Sequence, residues 1–468
     1  MLQRNSKIPA RTWENHPVAS RWTGFLKRLV LHPVRLVPIA YLCAIAVGTL
    51  LLMLPAARTG QPGGEFMPAL FTAVSAVCVT GLVTVDTPVF WTPFGHVVIL
   101  MLIQVGGFGI MSLATLLTLM LRKSIGLQGQ LVAQSETHTL NLGDVRHVLF
   151  RVARIMLVFE AATAVLLTGR FWIAYTEDPL AALWNGVFHS VSAFNNAGFA
   201  LYSDSLMGFA QDPWIIVPIC LALIAGGLGF PVLIELWRQG FNVKSWTVHT
   251  RLTVFGTCAL LVLGTALFAS FEWNRQETLG GFSQGGKLLA SLAGGIFPRT
   301  AGFNSIDYGA ASPETLLVTD VLMFIGGGSA GTAGGIKIAT FLVLGYAIWN
   351  EVRGNEHVNI AHRSISSSVQ RQALSVALLG VAAVIIGTLL LLTFTDHSLD
   401  DSLFEATSAF GTVGLSTGIT AGLPANAQFV LIVLMFLGRI GPIAVSTALA
   451  LALRPRLFQL PEERPIIG

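Results

Sequence analysis

The segment Leu70–Leu82, LFTAVSAVCVTGL, is echoed by Val187–Phe199, VFHSVSAFNNAGF, and by Leu403–Leu415, LFEATSAFGTVGL. Each copy has a Phe ten residues before a Gly and a Ser six residues before that Gly. A weaker copy, Leu292–Phe303, LAGGIFPRTAGF, lacks the Phe and the Ser but keeps the Gly and the apolar residue after it. The chain therefore contains four internal repeats. Their glycines are Gly81, Gly198, Gly302 and Gly414.

A second glycine cluster follows each of these glycines by about 25 residues, inside an apolar segment. The clusters begin at Gly106, Gly226, Gly326 and Gly438. A single glycine in a membrane helix usually serves close helix packing. Four glycines that share a downstream cluster, three of them also sharing the preceding pattern, instead favour a common backbone role. Each repeat is predicted to contain an apolar helix, a short amphipathic segment, a glycine turn, an extended stretch and a second apolar helix.

The composition indicates a membrane protein. Of the 468 residues, 53% are hydrophobic and 11% are charged, whereas a soluble domain has about 25% charged residues. Apolar stretches near spanning length recur along the chain, and they are expected to be helices because lipid offers no partner to unpaired backbone groups. They are Val37–Pro55, Val97–Leu121, Val152–Thr168, Trp214–Ile234, Leu252–Ser270, Leu316–Ile348 (interrupted by glycines), Ala373–Thr393 and Phe429–Leu453.

Lysine and arginine are concentrated in five segments, which alternate with segments poor in basic residues. The basic segments are 1–36, 122–154, 238–251, 353–371 and 454–464. The positive-inside rule places them, and hence both termini, in the cytoplasm. Basic patches of this kind anchor a protein to anionic lipid headgroups, so no nucleic-acid partner is expected.

The short segment of each repeat, of about 10–12 residues, cannot cross about 30 Å of hydrocarbon. It is therefore predicted to be a half-helix that enters from the outer side, with the chain returning as a loop. Each repeat has two full spans, so all repeats share one orientation. The predicted fold is an all-α membrane protein with four parallel membrane–pore-loop–membrane repeats around one pore axis. The predicted divisions are 1–36 (N-terminal segment), 37–121, 147–237, 248–349 and 370–453 (repeats 1 to 4) and 454–468 (C-terminal tail).

This geometry favours a cation on the axis. Each half-helix would point its C-terminal end, with roughly half a negative charge, toward the membrane centre. The loop after it would offer carbonyl oxygens that replace the water shell of an ion. Glycine suits such a loop because it has no side chain and adopts otherwise disfavoured backbone conformations. The neutral residues Thr80, Asn195, Asn196, Thr300 and Thr412 fit a pore that coordinates through oxygen.

The repeats resemble those of the Trk/Ktr/plant high-affinity potassium transporter superfamily, from about Pro33 onward. The matching residues are Cys78–Leu82, Asn195–Phe199, Arg299–Phe303 and Thr412–Ser416. The resemblance implies a selectivity filter that holds K⁺ at backbone carbonyls, with one glycine in each repeat. Glycine in all four repeats implies potassium preference, whereas serine in the first would imply sodium. The implied potassium-binding residues are Val79, Thr80, Gly81, Asn196, Ala197, Gly198, Thr300, Ala301, Gly302, Thr412, Val413 and Gly414.

The chain is more similar to the Ktr (KtrB-like) branch than to the Trk branch, whose subunits carry two extra helices before the first repeat. The resemblance implies a homodimer in the bacterial inner membrane, with a pore in each subunit. It also implies a cytoplasmic RCK-type (KtrA-like) nucleotide-binding ring as regulatory partner, with ATP or ADP bound to that partner. No cofactor beyond K⁺ is expected on this chain, and a contribution from Na⁺ is left open.

The stretch Gly326–Gly335, GGGSAGTAGG, has six glycines in ten positions, so a continuous helix is not expected there. It is either a flexible kink or, as the resemblance implies, an intramembrane gate loop beneath the filter. Arg439 lies in the last apolar segment, where a charge is costly and usually functional. There it would repel cations below the filter, pair with a carboxylate or carbonyl, or do both. The candidate gate residues are Gly326, Gly327, Gly328, Ser329, Gly331, Thr332, Gly334, Gly335 and Arg439.

Further predictions concern five charged residues in or beside apolar segments. Arg299 is expected to bracket the third filter glycine from outside or to pair with an acid. Lys337 is expected to reach cytoplasmic water. Glu160, Glu235 and Glu405 are interpreted mainly as structural partners, although Glu405 at the start of a pore segment would also attract cations.

Two alternatives belong to other functional classes. A sodium- or proton-coupled secondary carrier often shows inverted halves, whereas these repeats are parallel and their filter positions carry no acid. A membrane-embedded enzyme needs a clustered set of catalytic residues such as H-E-x-x-H, and the sequence has none. The chain is therefore not expected to be an enzyme.

Overall fold

The structure is a computed structural model that describes residues 33–60, 66–123, 143–355, 358–360 and 363–451. The first helix begins at Pro33, inside the segment 1–36 that was predicted to precede the first repeat. The rest of that segment and the tail 454–468 lie outside the described residues.

The described chain forms fifteen α-helices and one short hairpin. Repeat 1 comprises α1 (Pro33–Leu52), α2 (Phe66–Cys78), α3 (Thr87–Phe90) and α4 (Pro93–Lys123), and repeat 2 comprises α5 (Gly143–Ala174), α6 (Pro179–Phe194), α7 (Pro213–Leu228) and α8 (Phe230–Gln239). Repeat 3 comprises α9 (Val248–Glu272), α10 (Gln284–Ile296), α11 (Pro313–Phe324) and α12 (Ile338–Val352), and repeat 4 comprises α13 (Ser367–Phe394), α14 (Leu399–Gly411) and α15 (Ala425–Leu451). Strands β1 (Asn359–Ile360) and β2 (Arg363–Ser364) pair antiparallel between repeats 3 and 4.

In each repeat a short pore helix packs against the long outer helix that precedes it. The pore helices are α2, α6, α10 and α14, of 13, 16, 13 and 13 residues. Side-chain caps start three of them, because Asp178, Ser283 and Ser398 each accept a hydrogen bond from a backbone N–H in the first turn. The Phe shared by three repeats lies in the protein core, since Phe71, Phe188 and Phe404 are fully buried.

The repeats close into a ring through one recurring contact. The inner helix of each repeat packs against the pore helix of the next: α4 on α6, α7 on α10, α11 on α14, and α15 back on α2. Because the last contact returns to the first repeat, the four units surround a single axis in the same sense. The prediction of an all-α fold with four parallel repeats around one axis is confirmed.

Three described helices are long and apolar enough to cross a membrane: Leu149–Ala174 within α5, α9 and α13. The pair α7 and α8 would make a fourth span, but it is bent by 101° at Gly229. Five further described stretches are apolar helices of 10–17 residues: Pro38–Leu52, Phe66–Cys78, Pro93–Gly109, Ile338–Val352 and Ala425–Gly441.

The downstream glycine clusters mark where inner helices approach the ends of pore helices. A Cβ added to Gly106 would lie against the carbonyl oxygen of Val77, and one added to Gly438 would lie against that of Phe410. Gly226 has the same relation to the carbonyl oxygen of Phe194. Each of these carbonyls belongs to the residue four positions before a repeat glycine, so any side chain here would push the inner helix away from the end of the pore helix.

Substitution of Gly438 by alanine is therefore expected to destabilise the protein. The added methyl group would overpack the contact with Phe410, at a cost of about 1–3 kcal/mol. Gly441→Ala is a matched control, because Gly441 lies one turn further along α15 and has open space around its Cα. Thermal unfolding of the purified protein in detergent should show a lower Tm for Gly438→Ala and little change for Gly441→Ala. Equal Tm values would contradict the close-approach explanation.

Candidate functional site

Three pore helices end in the same backbone motif, which turns the chain toward the axis. In repeat 1 the N–H of Val79 donates to the carbonyl of Ala76 (3.1 Å), and the N–H of Thr80 donates to that of Ser75 (2.8 Å). This is a Schellman motif with a left-handed residue at its turn. Repeats 2 and 4 form the same pair of bonds. The serine that recurs in the sequence is thus the residue whose carbonyl closes each helix.

The chain after each pore helix has the same alternating conformation in all four repeats. The residue two before each glycine is left-handed, as is the glycine itself. The φ values are +56° at Val79, +59° at Asn196, +66° at Thr300 and +48° at Thr412, followed by +97°, +70°, +72° and +96° at Gly81, Gly198, Gly302 and Gly414. The weak third copy therefore adopts the conformation of the others, although it lacks their Phe and Ser.

The four glycines meet one another, and each faces a carbonyl of the next repeat. A Cβ added to Gly81 would meet the carbonyl oxygen of Ala197 at 2.5 Å and the Cα of Gly198 at 3.0 Å. The corresponding contacts are Gly198 with the carbonyl oxygen of Ala301, Gly302 with that of Val413, and Gly414 with that of Thr80. The carbonyls of Thr80, Ala197, Ala301 and Val413 thus form a closed ring, which we call the carbonyl ring.

The recurring serines also hold the carbonyl ring through their side chains. The N–H of Gly81 donates to the hydroxyl of Ser75 (3.0 Å), and that of Gly414 donates to the hydroxyl of Ser408 (3.1 Å). In repeat 2 the hydroxyl of Ser192 instead donates to the carbonyl of Phe199 (2.8 Å). Repeat 3 has Ile296 at this position and no such bond.

The predicted gate residues Gly326–Gly335 form a loop between α11 and α12. Its neck is closed where the N–H of Gly326 donates to the carbonyl of Ile336 (2.8 Å). The loop contacts the bases of two filter segments, because Thr332 bonds the side chain of Asn196 and Gly334 lies against the hydroxyl of Thr412. The side chain of Arg439 donates to the carbonyl of Thr332. The loop therefore joins the filter segments of repeats 2 and 4 to the inner helix of repeat 4.

A second break, which the sequence analysis missed, faces this loop. The inner helix of repeat 2 stops at Leu228, and Gly229 (φ +90°) turns the chain into α8. The carbonyl of Gly227 accepts from the N–H of Gly328 (2.7 Å), and that of Gly226 accepts from the N–H of Thr332 (3.1 Å). The signal in the sequence was the run GGLG followed within two residues by Pro231.

The expected surroundings of Arg299 are wrong. Arg299 does not bracket the filter from outside and pairs with no acid among the described residues; it is buried and donates to the carbonyl of Gly326 (2.8 Å). Lys337, which was expected to reach cytoplasmic water, is half-buried, and its amino group donates to the carbonyl of Ala333 (2.5 Å). Both cations therefore bind the gate loop.

The three membrane glutamates accept hydrogen bonds from neutral partners. Glu160 accepts from the amides of Gln104 (3.1 Å) and Asn195 (3.0 Å). Glu405 accepts from the hydroxyls of Ser416 and Thr420, and Glu235 accepts from the hydroxyls of Thr247 and Thr250. Each glutamate ties two elements together, and Glu160 and Glu405 brace the second and fourth filter segments from behind.

The arrangement suits a cation chemically. The carbonyl ring presents oxygen atoms without a side-chain charge, and the negative ends of four pore helices adjoin it. The guanidinium of Arg439 is the opposing element, because it is 2% exposed and lies at the gate loop. Within the described residues no group of His, Cys, Asp or Glu has the arrangement of a metal site.

The fold and the carbonyl ring thus define a membrane protein built around one oxygen-lined axis. The chain belongs to the TrkH family, whose description is cation transport protein and which matches residues 44–457. It is 38% identical over 412 residues to the Ktr system potassium uptake protein B of Bacillus subtilis (strain 168), covering 88% of this chain and 91% of that protein. The protein of the same name from Vibrio alginolyticus is 36% identical over 437 residues, covering 93% and 94%.

A solved structure has the same fold. The potassium transporter TrkH from Vibrio parahaemolyticus matches with a TM-score of 0.69 and 18% identity, over 90% of this chain and 84% of that chain.

Loss of the serine hydroxyls is expected to weaken the carbonyl ring. Ser75→Ala and Ser408→Ala would each leave a buried glycine N–H without its partner, at a cost of about 1–3 kcal/mol. Ser291→Ala is the control, because this buried hydroxyl in the third pore helix has no hydrogen-bond partner among the described residues. Denaturant unfolding at a fixed potassium concentration should give a lower free energy of unfolding for Ser75→Ala and Ser408→Ala than for Ser291→Ala. If all three lose the same stability, the serines do not act through these bonds.

Proposed function

We propose that this chain takes up potassium ions across the bacterial inner membrane through the four-repeat axis, with both termini in the cytoplasm. K⁺ is the cargo, and it binds at the filter residues named above with one glycine per repeat. The observation that carries the proposal is the carbonyl ring, in which Thr80, Ala197, Ala301 and Val413 each place a carbonyl oxygen against a glycine of a neighbouring repeat. The names of the two Ktr relatives support potassium as the cargo.

Selectivity follows from oxygen ligands that replace the hydration shell of the ion. A neutral ring binds a monovalent cation firmly enough for entry and weakly enough for exit, whereas carboxylates on the axis would retain it. The negative ends of the pore helices lower the energy of a cation at the ring. This mechanism needs no chemical step, in keeping with a transport protein.

The gate proposal assigns Gly326–Gly335 as the moving part. The loop carries few side chains, and Arg439 donates to the carbonyl of Thr332 within it. A guanidinium below the carbonyl ring raises the energy of a cation leaving toward the cytoplasm. Displacement of the loop together with Arg439 would remove both the steric and the electrostatic barrier.

Regulation is proposed to come from a second subunit. The phrase "Ktr system" in the names of the relatives supports a system of several components. We propose a homodimer of this chain on a cytoplasmic RCK-type ring that binds ATP or ADP. In parallel repeats the end of α12 and the hairpin β1–β2, which join repeats 3 and 4, would lie on the side opposite the pore-helix entry, where such a ring would bind.

Filter glycines are expected to control flux. Gly81→Ser and Gly414→Ser would place side chains against the carbonyls of Ala197 and Thr80, so potassium uptake should fall at least tenfold or admit sodium. Gly285→Ser is the control, because Gly285 is exposed with open space around it. The measurement is net K⁺ and Na⁺ uptake in a bacterium that lacks its own potassium uptake, with and without a regulatory partner, at matched membrane expression. A wild type that moves no potassium even with a partner, or filter variants that behave as wild type, would contradict the pore and favour a coupled carrier.

The charge of Arg439 is expected to restrain flux in the absence of a partner. Arg439→Gln removes the charge and should raise potassium flux into proteoliposomes by about tenfold, which corresponds to a barrier lowered by about 1.4 kcal/mol through loss of like-charge repulsion. Arg439→Lys keeps the charge and should remain near wild type. Equal flux through both variants would show that the arginine acts by packing alone.

A further inference from the structure

The two adjacent asparagines of the second filter segment have opposite attachments. Asn195 is tied outward to the scaffold, because its amide donates to Glu160 (3.0 Å), Gln104 (3.1 Å) and the carbonyl of Val191 (2.9 Å). Asn196 is tied inward, since its side-chain oxygen accepts from the hydroxyl of Thr332 (2.9 Å) in the gate loop. Both asparagines are almost completely buried.

Asn196 also reaches across to the third repeat. Its amide nitrogen donates to the hydroxyl of Thr300 (3.4 Å), which is the residue at the same position of the third filter segment. The contacts therefore run from Arg439 to Thr332, from Thr332 to Asn196, and from Asn196 to Thr300. We call these four residues the gate–filter bridge.

Among the described filter segments, only the second bonds the loop through the side chain of the residue two before its glycine; in the third segment the side chain of Arg299, three before its glycine, donates to the carbonyl of Gly326 in the same loop. The residues equivalent to Asn196 are Val79, which has no polar side-chain atom, and Thr300 and Thr412, whose hydroxyls make no hydrogen bond to the loop among the described residues. The hydroxyl of Thr412 has no hydrogen-bond partner among the described residues. The second repeat is thus the one whose left-handed filter residue is hydrogen-bonded through its side chain to the moving part.

The fit around the bridge is close. A Cβ on Gly226 would lie 2.8 Å from the hydroxyl of Thr332 and 2.9 Å from the side-chain oxygen of Asn196. The hydroxyl of Thr332 also lies 3.3 Å from the carbonyl oxygen of Phe194, at the end of pore helix α6. Thr332 cannot leave this position without breaking its bond to Asn196, so displacement of the loop must release the second filter segment on its inner side.

We infer that the gate–filter bridge makes the potassium affinity of the filter depend on the position of the gate loop, with tight binding while Thr332 holds Asn196 and weaker binding when the loop moves away. This inference rests on the proposed function and adds regulation of the same site. A filter that weakens on opening releases its ion when the exit is clear, which satisfies the requirement that binding be strong enough for entry and weak enough for exit. Because coupling between two sites is reciprocal, potassium in the filter also favours the closed loop.

The test is a double-mutant cycle on purified, full-length protein. Thr332→Val removes the donated hydroxyl while keeping the shape of the side chain. Asn196→Thr installs the residue that the third and fourth repeats carry at this left-handed position. Thr253→Val is the control, because Thr253 packs on Gly328 of the same loop but its buried hydroxyl has no hydrogen-bond partner among the described residues. The equilibrium readout is the K⁺ concentration that half-maximally raises Tm, and the second readout is the ratio of K⁺ to Na⁺ flux into proteoliposomes.

Thr332→Val is expected to raise the half-maximal K⁺ concentration about fivefold, the equilibrium effect of one ordinary hydrogen bond, and to lower the flux ratio. Asn196→Thr should raise that concentration at least as much, because it also removes the bond to Thr300. Adding Thr332→Val to Asn196→Thr should raise it no further, because both substitutions remove the bond between these two residues. Thr253→Val should match wild type. The inference is overturned if Thr332→Val binds K⁺ as wild type does, or if the two single effects add. A wild type that neither binds nor passes K⁺ would overturn the proposed function itself, which distinguishes the two failures.

Discussion

The irregular backbone inside the membrane must find its hydrogen-bond partners within the protein, because hydrocarbon supplies none and each unpaired group costs several kcal/mol. Non-helical backbone lies near the axis in the four filter turns, in the gate loop and at the break at Gly229. These segments satisfy one another, since the break releases the carbonyls of Gly226 and Gly227, and the N–H groups of Thr332 and Gly328 take them up. The loop is therefore part of the scaffold that holds the axis, and any movement of it requires substitute partners, such as water entering from the cytoplasm.

The four filter segments share one backbone conformation but carry different side chains, because the backbone groups near the axis must all be satisfied within the protein. The carbonyl ring is made by main-chain atoms, so all four repeats adopt the same alternating conformation. The residue three before each glycine does not enter the ring and differs in every repeat: Cys78, Asn195, Arg299 and Gly411. Asn195 braces the filter against the scaffold, and Arg299 binds the carbonyl of Gly326 in the gate loop. The proposed ion coordination and its proposed control thus use different atoms of the same segments.

Sequence periodicity predicted the features that repeat and missed those that occur once. The common register of Phe71, Ser75 and Gly81 with their counterparts predicted the fold class, which is confirmed, whereas ion binding at the filter stays a prediction. The helix break at Gly229 was missed because the apolar run continues through it. The hydrogen bond of Arg299 to the gate loop was not predicted because its acceptor is the backbone carbonyl of Gly326, which carries no signature in the sequence. Links such as that of Asn196 to Thr332 depend on which repeats are neighbours in the ring, and spacing along the chain does not encode this.

The central claim is that potassium is held by main-chain oxygens at the axis. Crystals grown with Rb⁺ or Tl⁺ in place of K⁺ would test it most directly, through the anomalous scattering of these ions. The account predicts an anomalous peak on the axis between the carbonyl oxygens of Thr80, Ala197, Ala301 and Val413, lost on addition of excess K⁺. A peak at Glu160 or Glu405 with none at the carbonyl ring, in protein that moves potassium in proteoliposomes, would contradict it.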